Sequence, residues 1–234
     1  MGNYKAIAIS IGVSVILLGL MGWWLEERTA TAPALLENET SLEGPLSPEE
    51  INVNQPAITN PMNRTATFTT NQGTIVLELF EDLMPITTAN FISLAESGFY
   101  DGTKFHRVID DFMIQGGDPN SKGPDATTYG RGGPGYTIED EFVDNPLLTN
   151  ARGTIAMANT GQPNSGGSQF FINTKDNTFL DWNDTIAPAS KHPVFGRVIE
   201  GLDIVDKISK VPTGPNDLPR EAVVIESVKI SAAN

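Results

Sequence analysis

Phe105-His-Arg-Val-Ile-Asp-Asp-Phe-Met-Ile-Gln-Gly-Gly-Asp118 and Met157-Ala-Asn-Thr-Gly-Gln-Pro-Asn-Ser-Gly-Gly-Ser-Gln-Phe-Phe-Ile-Asn173 hold what is most unusual in this chain of 234 residues. Within and beside them lie strand-like runs at 104–108, 112–115, 154–158 and 169–173. Upstream, Thr65-Ala-Thr-Phe-Thr-Thr70 and Thr74-Ile-Val-Leu-Glu-Leu-Phe80 are rich in β-branched residues and flank Asn71-Gln72-Gly73, a hairpin signal. Downstream, 194–198 and 222–230 read as strands. Only two helices are predicted. Pro85 opens the first, with Phe91, Leu94 and Ala95 on one face and Gly98 at its C-terminal end. The second covers 202–208, with Ile204, Val205 and Ile208 facing inward. Many short strands, frequent turns and two helices predict a mainly β fold, closed or sandwiched.

The N-terminal quarter is of another kind. Residues 6–25 carry no charge, and twenty helical residues span roughly 30 Å, the thickness of a bilayer's hydrocarbon core. Lys5 precedes the segment, Trp23 and Trp24 stand at its far end, and Glu26 and Glu27 follow. This arrangement predicts a transmembrane signal-anchor helix over residues 1–25, with the rest of the chain on the extracytoplasmic side. Secretion after signal cleavage is the alternative, although Pro33 follows the nearest small-residue site, Ala30-Thr31-Ala32. Residues 26–62 mix glutamates with prolines and show no apolar period, so a disordered acidic linker is expected. The folded unit is expected over 63–234.

Composition narrows the function classes. The formal charge is −14, with 29 acidic and 15 basic side chains, which argues against a nucleic-acid partner because phosphate neutralisation needs surplus Lys and Arg. There is no cysteine, hence no thiol nucleophile, zinc–thiolate site or disulfide. Asp118, Asn120 and Gly123 resemble the start of a calcium loop, but Lys122 and Tyr129 stand where oxygen ligands are needed. Ser168 lacks the glycine spacing of a hydrolase elbow. Gly130-Arg-Gly-Gly-Pro-Gly135 lacks the Gly-Lys-Ser/Thr of a P-loop.

The two quoted stretches resemble the cyclophilins, and the resemblance extends over 64–230. It takes in Gly73-Thr-Ile-Val-Leu-Glu-Leu-Phe80, Gly135-Tyr-Thr-Ile-Glu-Asp-Glu-Phe142 and Val194-Phe-Gly-Arg-Val198. It implies a closed eight-stranded antiparallel β-barrel capped by two helices, and peptidyl-prolyl cis-trans isomerase activity without metal or cofactor. It implies that Arg107 is the catalytic arginine. Phe112, Met113, Phe171 and Leu180 would wall a proline pocket, with His192 at its edge. Gln115, Ala158, Asn159 and Gln169 would grip the peptide, the Asn159 backbone holding the chain and Gln115 reaching a carbonyl. His106 belongs to the implied site, although strand alternation turns it away from Arg107. Members that bind cyclosporin tightly carry Trp at the position of Phe179, and Phe has no N–H to donate, so weak cyclosporin binding is expected. The 121–131 loop is longer than in compact members and is expected to lean over the substrate groove. Proline-containing polypeptides are the expected partners, and the catalytic domain is expected to be monomeric. A proline-peptide-binding chaperone with incidental catalysis is the alternative.

The chemistry fits these residues. An X–Pro amide isomerises across about 18–20 kcal/mol because C–N resonance must be broken. No bond to carbon forms or breaks, so the site must only bind the twisted amide better than either planar form. Twisting returns a lone pair to the prolyl nitrogen. A fixed donor there, such as a guanidinium, favours the transition state selectively.

Overall fold

Thr70 closes the first hairpin with its own side chain. Its Oγ1 accepts from the N–H groups of Gln72 and Gly73, both at 3.1 Å, and donates to the Gly73 carbonyl at 2.6 Å. In the computed structural model, which describes residue 60 and residues 62–185 and 191–231, this turn joins β1 (Thr65–Thr70) to β2 (Gly73–Leu79). Helix α1 (Pro85–Glu96) follows, then β3 (Arg107–Ile109), β4 (Met113–Gly116), β5 (Thr154–Met157), β6 (Phe170–Asn173) and β7 (Val194–Glu200). Helix α2 (Leu202–Ser209) and β8 (Ile225–Ser231) complete the order. The predicted anchor and nearly all of the predicted linker lie outside the described residues. Among the described residues no helix is long and apolar enough to cross a membrane.

The eight strands form one antiparallel sheet in the order β3-β4-β6-β5-β7-β2-β1-β8. Strand β1 pairs with β8 over its whole length, Thr65 opposite Ser231 and Phe68 opposite Val228. Among the described residues the eight strands and two α-helices match the expectation for the folded unit, but the ring is not one continuous ladder. The sheet curls into a half-barrel whose ends meet at a short seam. There Phe105 N donates to Val223 O at 2.9 Å and Ile225 N to Thr103 O at 2.8 Å, around a bridge between Lys104 and Val224. The predicted strand at 104–108 is thus split: its first half makes the seam and its second half begins β3.

Strand alternation divides the residues of β3, β4, β6 and β5 between two faces. Val108, Ile114, Ile172 and Ile155 stand opposite one another across the ladder and are all within 1% of full burial. They join an aromatic core in which Phe170 meets Phe68, Phe91 and Tyr100 edge-on at 5.6–5.9 Å, the geometry that aromatic quadrupoles prefer. Helix α1 covers this core with Phe91, Leu94 and Ala95, as predicted. Its N-terminus has no cap from its own sequence. Instead the Glu141 carboxylate accepts from Ile86 N at 2.9 Å and Thr87 N at 2.6 Å, satisfying orphan donors at the positive end of the helix dipole. In α2, Val205 and Ile208 are fully buried. Ile204 is only partly so and lies over Gly73, whose missing Cβ leaves it room.

Candidate active site

The opposite face of those strands carries the polar and aromatic residues singled out from the sequence. Directly opposed residues share a face, and the register aligns Arg107 with Gln115, Gln115 with Phe171, and Phe171 with Ala156. Met113, two residues before Gln115, falls on the same side. Three strands therefore set a guanidinium, an amide and an apolar wall in one row.

A hydrogen-bond chain of fixed polarity runs along the row's polar end. Gln169 Nε2 donates to the Gly132 carbonyl at 2.8 Å, and Gln115 Nε2 donates to Gln169 Oε1 at 3.0 Å. Gln115 Oε1 then faces Arg107 Nη1 at 3.5 Å. A backbone carbonyl can only accept, so Gly132 orients both amides and leaves an acceptor toward the arginine. On its other side Arg107 Nε meets Asp217 Oδ2 at 3.4 Å. Asp217 comes from a tight turn in which Asn216 and Asp217 both have left-handed backbone, φ +60° and +57°. These contacts are long, so they orient the guanidinium without exhausting its five donors. The side chain remains 44% exposed. One amide hydrogen of Gln115 is spent on Gln169, and the other is left for a peptide carbonyl.

Beside the arginine lies the apolar part. Met113, Phe171 and Leu180 are buried, while Phe112 is half-buried and stacks on Phe179 with ring centres 6.0 Å apart. His192 presents its edge to Phe171 at 5.2 Å, and its Nδ1 donates to the Met157 carbonyl at 3.0 Å. Burial pushes the His192 pKa below the ordinary value, only partly offset by the Met157 carbonyl. His106 is buried with neither ring nitrogen bonded, and burial lowers its pKa as well. In both, burial disfavours the cationic imidazolium form.

The Asn159 side chain is occupied, Nδ2 donating at 2.7 Å to the carbonyl of Lys191, in the segment before β7, and Oδ1 accepting from Gly161 N in its own loop at 3.0 Å. Asn159 and Ala158 line a cavity of about 440 Å³ with Gln115 and Gln169. A second cavity of about 720 Å³ is lined by His106, Arg107, Gln115, residues from the 126–131 loop and Asp217. These loop residues belong to the 121–131 segment. Its ends are tied by buried Asp118, whose carboxylate accepts from Asn120 N at 2.8 Å and from Gly130 N. A side chain at Gly132 would collide with that carboxylate, the ideal Cβ position lying 2.1 Å from Asp118 Oδ1.

Sequence reasoning missed the frame behind the apolar wall. Fully buried Asn173 donates to Asn150 Oδ1 at 3.2 Å and Thr154 Oγ1 at 3.0 Å, and accepts from Asn177 at 2.8 Å. Asn177 also donates to the Phe112 carbonyl at 2.8 Å. Asp181 accepts from Asn150 N at 2.7 Å and from Thr149 Oγ1 at 2.6 Å. This network locks the short turn bearing Phe179 and Leu180 against β6. The one signal for it was an amide side chain, Asn173, ending a strand otherwise made of large apolar residues. Trp182, close to Phe179 in sequence, stacks on Phe142 and donates its indole N–H to Val143 O at 3.3 Å.

Residues 65–230 match the model of the family described as cyclophilin type peptidyl-prolyl cis-trans isomerase/CLD. Among curated proteins, the chain is 44% identical over 171 residues to peptidyl-prolyl cis-trans isomerase B of Escherichia coli, covering 70% of this chain and 98% of that one. It is 46% identical over 170 residues to a peptidyl-prolyl cis-trans isomerase of Streptomyces antibioticus, covering 71% and 98%. Among solved structures, a cyclophilin-type isomerase of Cryptosporidium parvum superposes with a TM-score of 0.61 at 30% identity, covering 73% of this chain and 98% of that one.

Proposed function

This chain belongs to the cyclophilin-type peptidyl-prolyl cis-trans isomerases, and from that premise we propose that Arg107 is the donor that stabilises the twisted X–Pro amide. The observation that carries this is the row Arg107–Gln115–Phe171, set by strand register, with the guanidinium oriented beside the apolar wall. The proline ring packs on Phe112, Met113, Phe171 and Leu180, with Phe179 and His192 at the rim. The residue before proline lies along Asn159 and Ala158, held by backbone groups. As the C–N bond rotates, the nitrogen becomes pyramidal and accepts from Arg107. The planar forms, cis or trans, offer no such acceptor, so the interaction lowers the barrier rather than deepening the ground state. The Cryptosporidium relative has also been solved in the presence of the dipeptide Ala-Pro, with 30% identity to this chain and a TM-score of 0.60, which supports a proline-containing ligand here. Substituting Arg107 in an isomerisation assay tests the assignment.

The site takes cyclosporin weakly. Phe179 presents only carbon at the wall, and the Trp182 indole N–H is already bound to Val143 O. A missing hydrogen bond of this kind costs roughly tenfold in affinity. Titrating the isomerase activity with cyclosporin checks this, with Phe179→Trp expected to gain about that factor. Equal inhibition of both forms contradicts it.

The polypeptides served are exported ones. The uncharged 6–25 segment, with Lys5 before it and Glu26 and Glu27 after it, is the feature that supports this. N-terminal sequencing of membrane-extracted protein is expected to start at or next to Met1. A start beyond residue 30 indicates a secreted, cleaved form, and recovery only in the soluble cytoplasmic fraction overturns the proposal.

A further inference from the structure

Arg131 stands at the junction of the two cavities that flank the row, lining both the 440 Å³ space and the 720 Å³ space. Among the described residues it is the sole charged one lining the smaller cavity, the rest being glycine, proline, alanine, tyrosine, hydroxyl and amide residues. It is exposed, and among the described residues it makes no ion pair, whereas Arg64, Arg107, Arg152 and Arg197 each meet a carboxylate and Arg220 donates to the Thr213 carbonyl. In a chain with 29 acidic side chains, an unpaired arginine on the groove wall is a distinctive placement.

The position of Arg131 is fixed by its neighbours. Before it, Gly130 adopts φ +78° and donates to the buried Asp118 carboxylate. After it, the Gly132 carbonyl accepts from Gln169. The carboxylates set around it are engaged elsewhere. Asp118 is buried and accepts from Asn120 N and Gly130 N, and Asp217, which shares the larger cavity, meets Arg107. The backbone on both sides of Arg131 is thus anchored, and its guanidinium has its donors free.

We propose that Arg131 makes this cavity a subsite for an acidic substrate side chain, aspartate or glutamate, carried by the second residue ahead of the proline. The inference rests on the isomerase reading given above. With proline on the Phe112–Phe171 wall and the preceding residue along Asn159 and Ala158, the next residue toward the peptide's N-terminus reaches the cavity that Ala158, Asn159 and Thr160 border on one side and Arg131 to Thr137 on the other. A guanidinium receives a carboxylate through two parallel N–H bonds. The backbone grip leaves the residue directly before proline unspecified, so selectivity falls on this next position.

The test compares N-acetylated Glu-Ala-Pro-Phe and Lys-Ala-Pro-Phe peptides as substrates of the full chain, reading kcat/KM. At low salt the Glu peptide is expected to be preferred roughly 3- to 10-fold, the scale of an exposed attraction on one side and a repulsion on the other. The preference shrinks toward unity in 1 M salt, where charges are screened within about 3 Å. It collapses in Arg131→Gln and reverses in Arg131→Glu. Each ratio is taken within one preparation, so a partly unfolded variant lowers both rates and leaves the ratio intact. Equal rates on the two peptides by the unaltered chain, or a preference that survives both high salt and Arg131→Gln, overturns the subsite. Failure to turn over either peptide withdraws the isomerase reading itself, and the subsite with it.

Discussion

Arg107→Ala is expected to lower kcat/KM for X–Pro isomerisation by roughly 10²- to 10³-fold, the cost of deleting one preorganised transition-state donor. The effect is large because the interaction is differential. Only the twisted amide has the nitrogen lone pair that accepts from the guanidinium, so substrate binding changes little and the loss falls on kcat. Stability hardly moves: the side chain is 44% exposed and its ion pair with Asp217 is long, worth under about 1 kcal/mol. Arg107→Lys recovers the charge but not the planar fork facing Gln115 and Asp217, and is expected to stay well below the unaltered enzyme. A proline-isomerisation assay beside a urea melt decides the matter. An Arg107→Ala variant that folds normally and keeps its rate within twofold removes Arg107 from the mechanism.

The second large effect is on stability. Glu78 on β2 is 2% exposed and lies opposite Arg197 on β7. Its carboxylate accepts from Arg197 Nε at 2.9 Å, Asn60 N at 2.8 Å and Asn63 Nδ2 at 3.0 Å, and pairs with Arg197 Nη2 at 2.8 Å. Arg197→Met leaves a buried anion with only the neutral amide donors. The expected loss is about 3–5 kcal/mol, a large share of the roughly 5–15 kcal/mol that holds a domain of this size together. The double substitution Glu78→Gln with Arg197→Met is expected to cost less than the single one, because the stranded charge goes too. Urea midpoints at constant m-value measure both. A single-variant shift below about 1 kcal/mol shows that the carboxylate finds water or another partner.

What could be read from the sequence was what repeats at short range. The β1–β2 hairpin followed from β-branched runs around Asn71-Gln72-Gly73, and the buried face of α1 from Phe91, Leu94 and Ala95. The chemistry was legible through long matched stretches, which named Arg107, Gln115 and Phe171 before register put them in one row. Contacts between distant loops were not legible. Asp217 lies 110 residues from Arg107 and reaches it only through two left-handed residues. Glu141 caps a helix 54–55 residues before it. Asn150 and Asn177 carry no local signal, and Asn173 only the oddity of an amide ending a strand, whereas the fold uses all three as a buried frame. The seam at 103–105 escaped for a related reason. Nothing local distinguishes a residue that pairs within β3 from one that pairs with the segment before β8.

The partnership of the first strand with the last has a kinetic corollary. Thr65 and Ser231 are neighbours in space across 166 residues of chain, so the sheet cannot be completed until β8 has been made and has left the ribosome. Until β8 emerges, β1 has one flank unpaired, and the aromatic cluster beneath it is exposed to other nascent chains. High contact order of this kind slows folding, which makes the interval before β8 emerges the moment when this catalyst of folding most needs protection from misfolding itself.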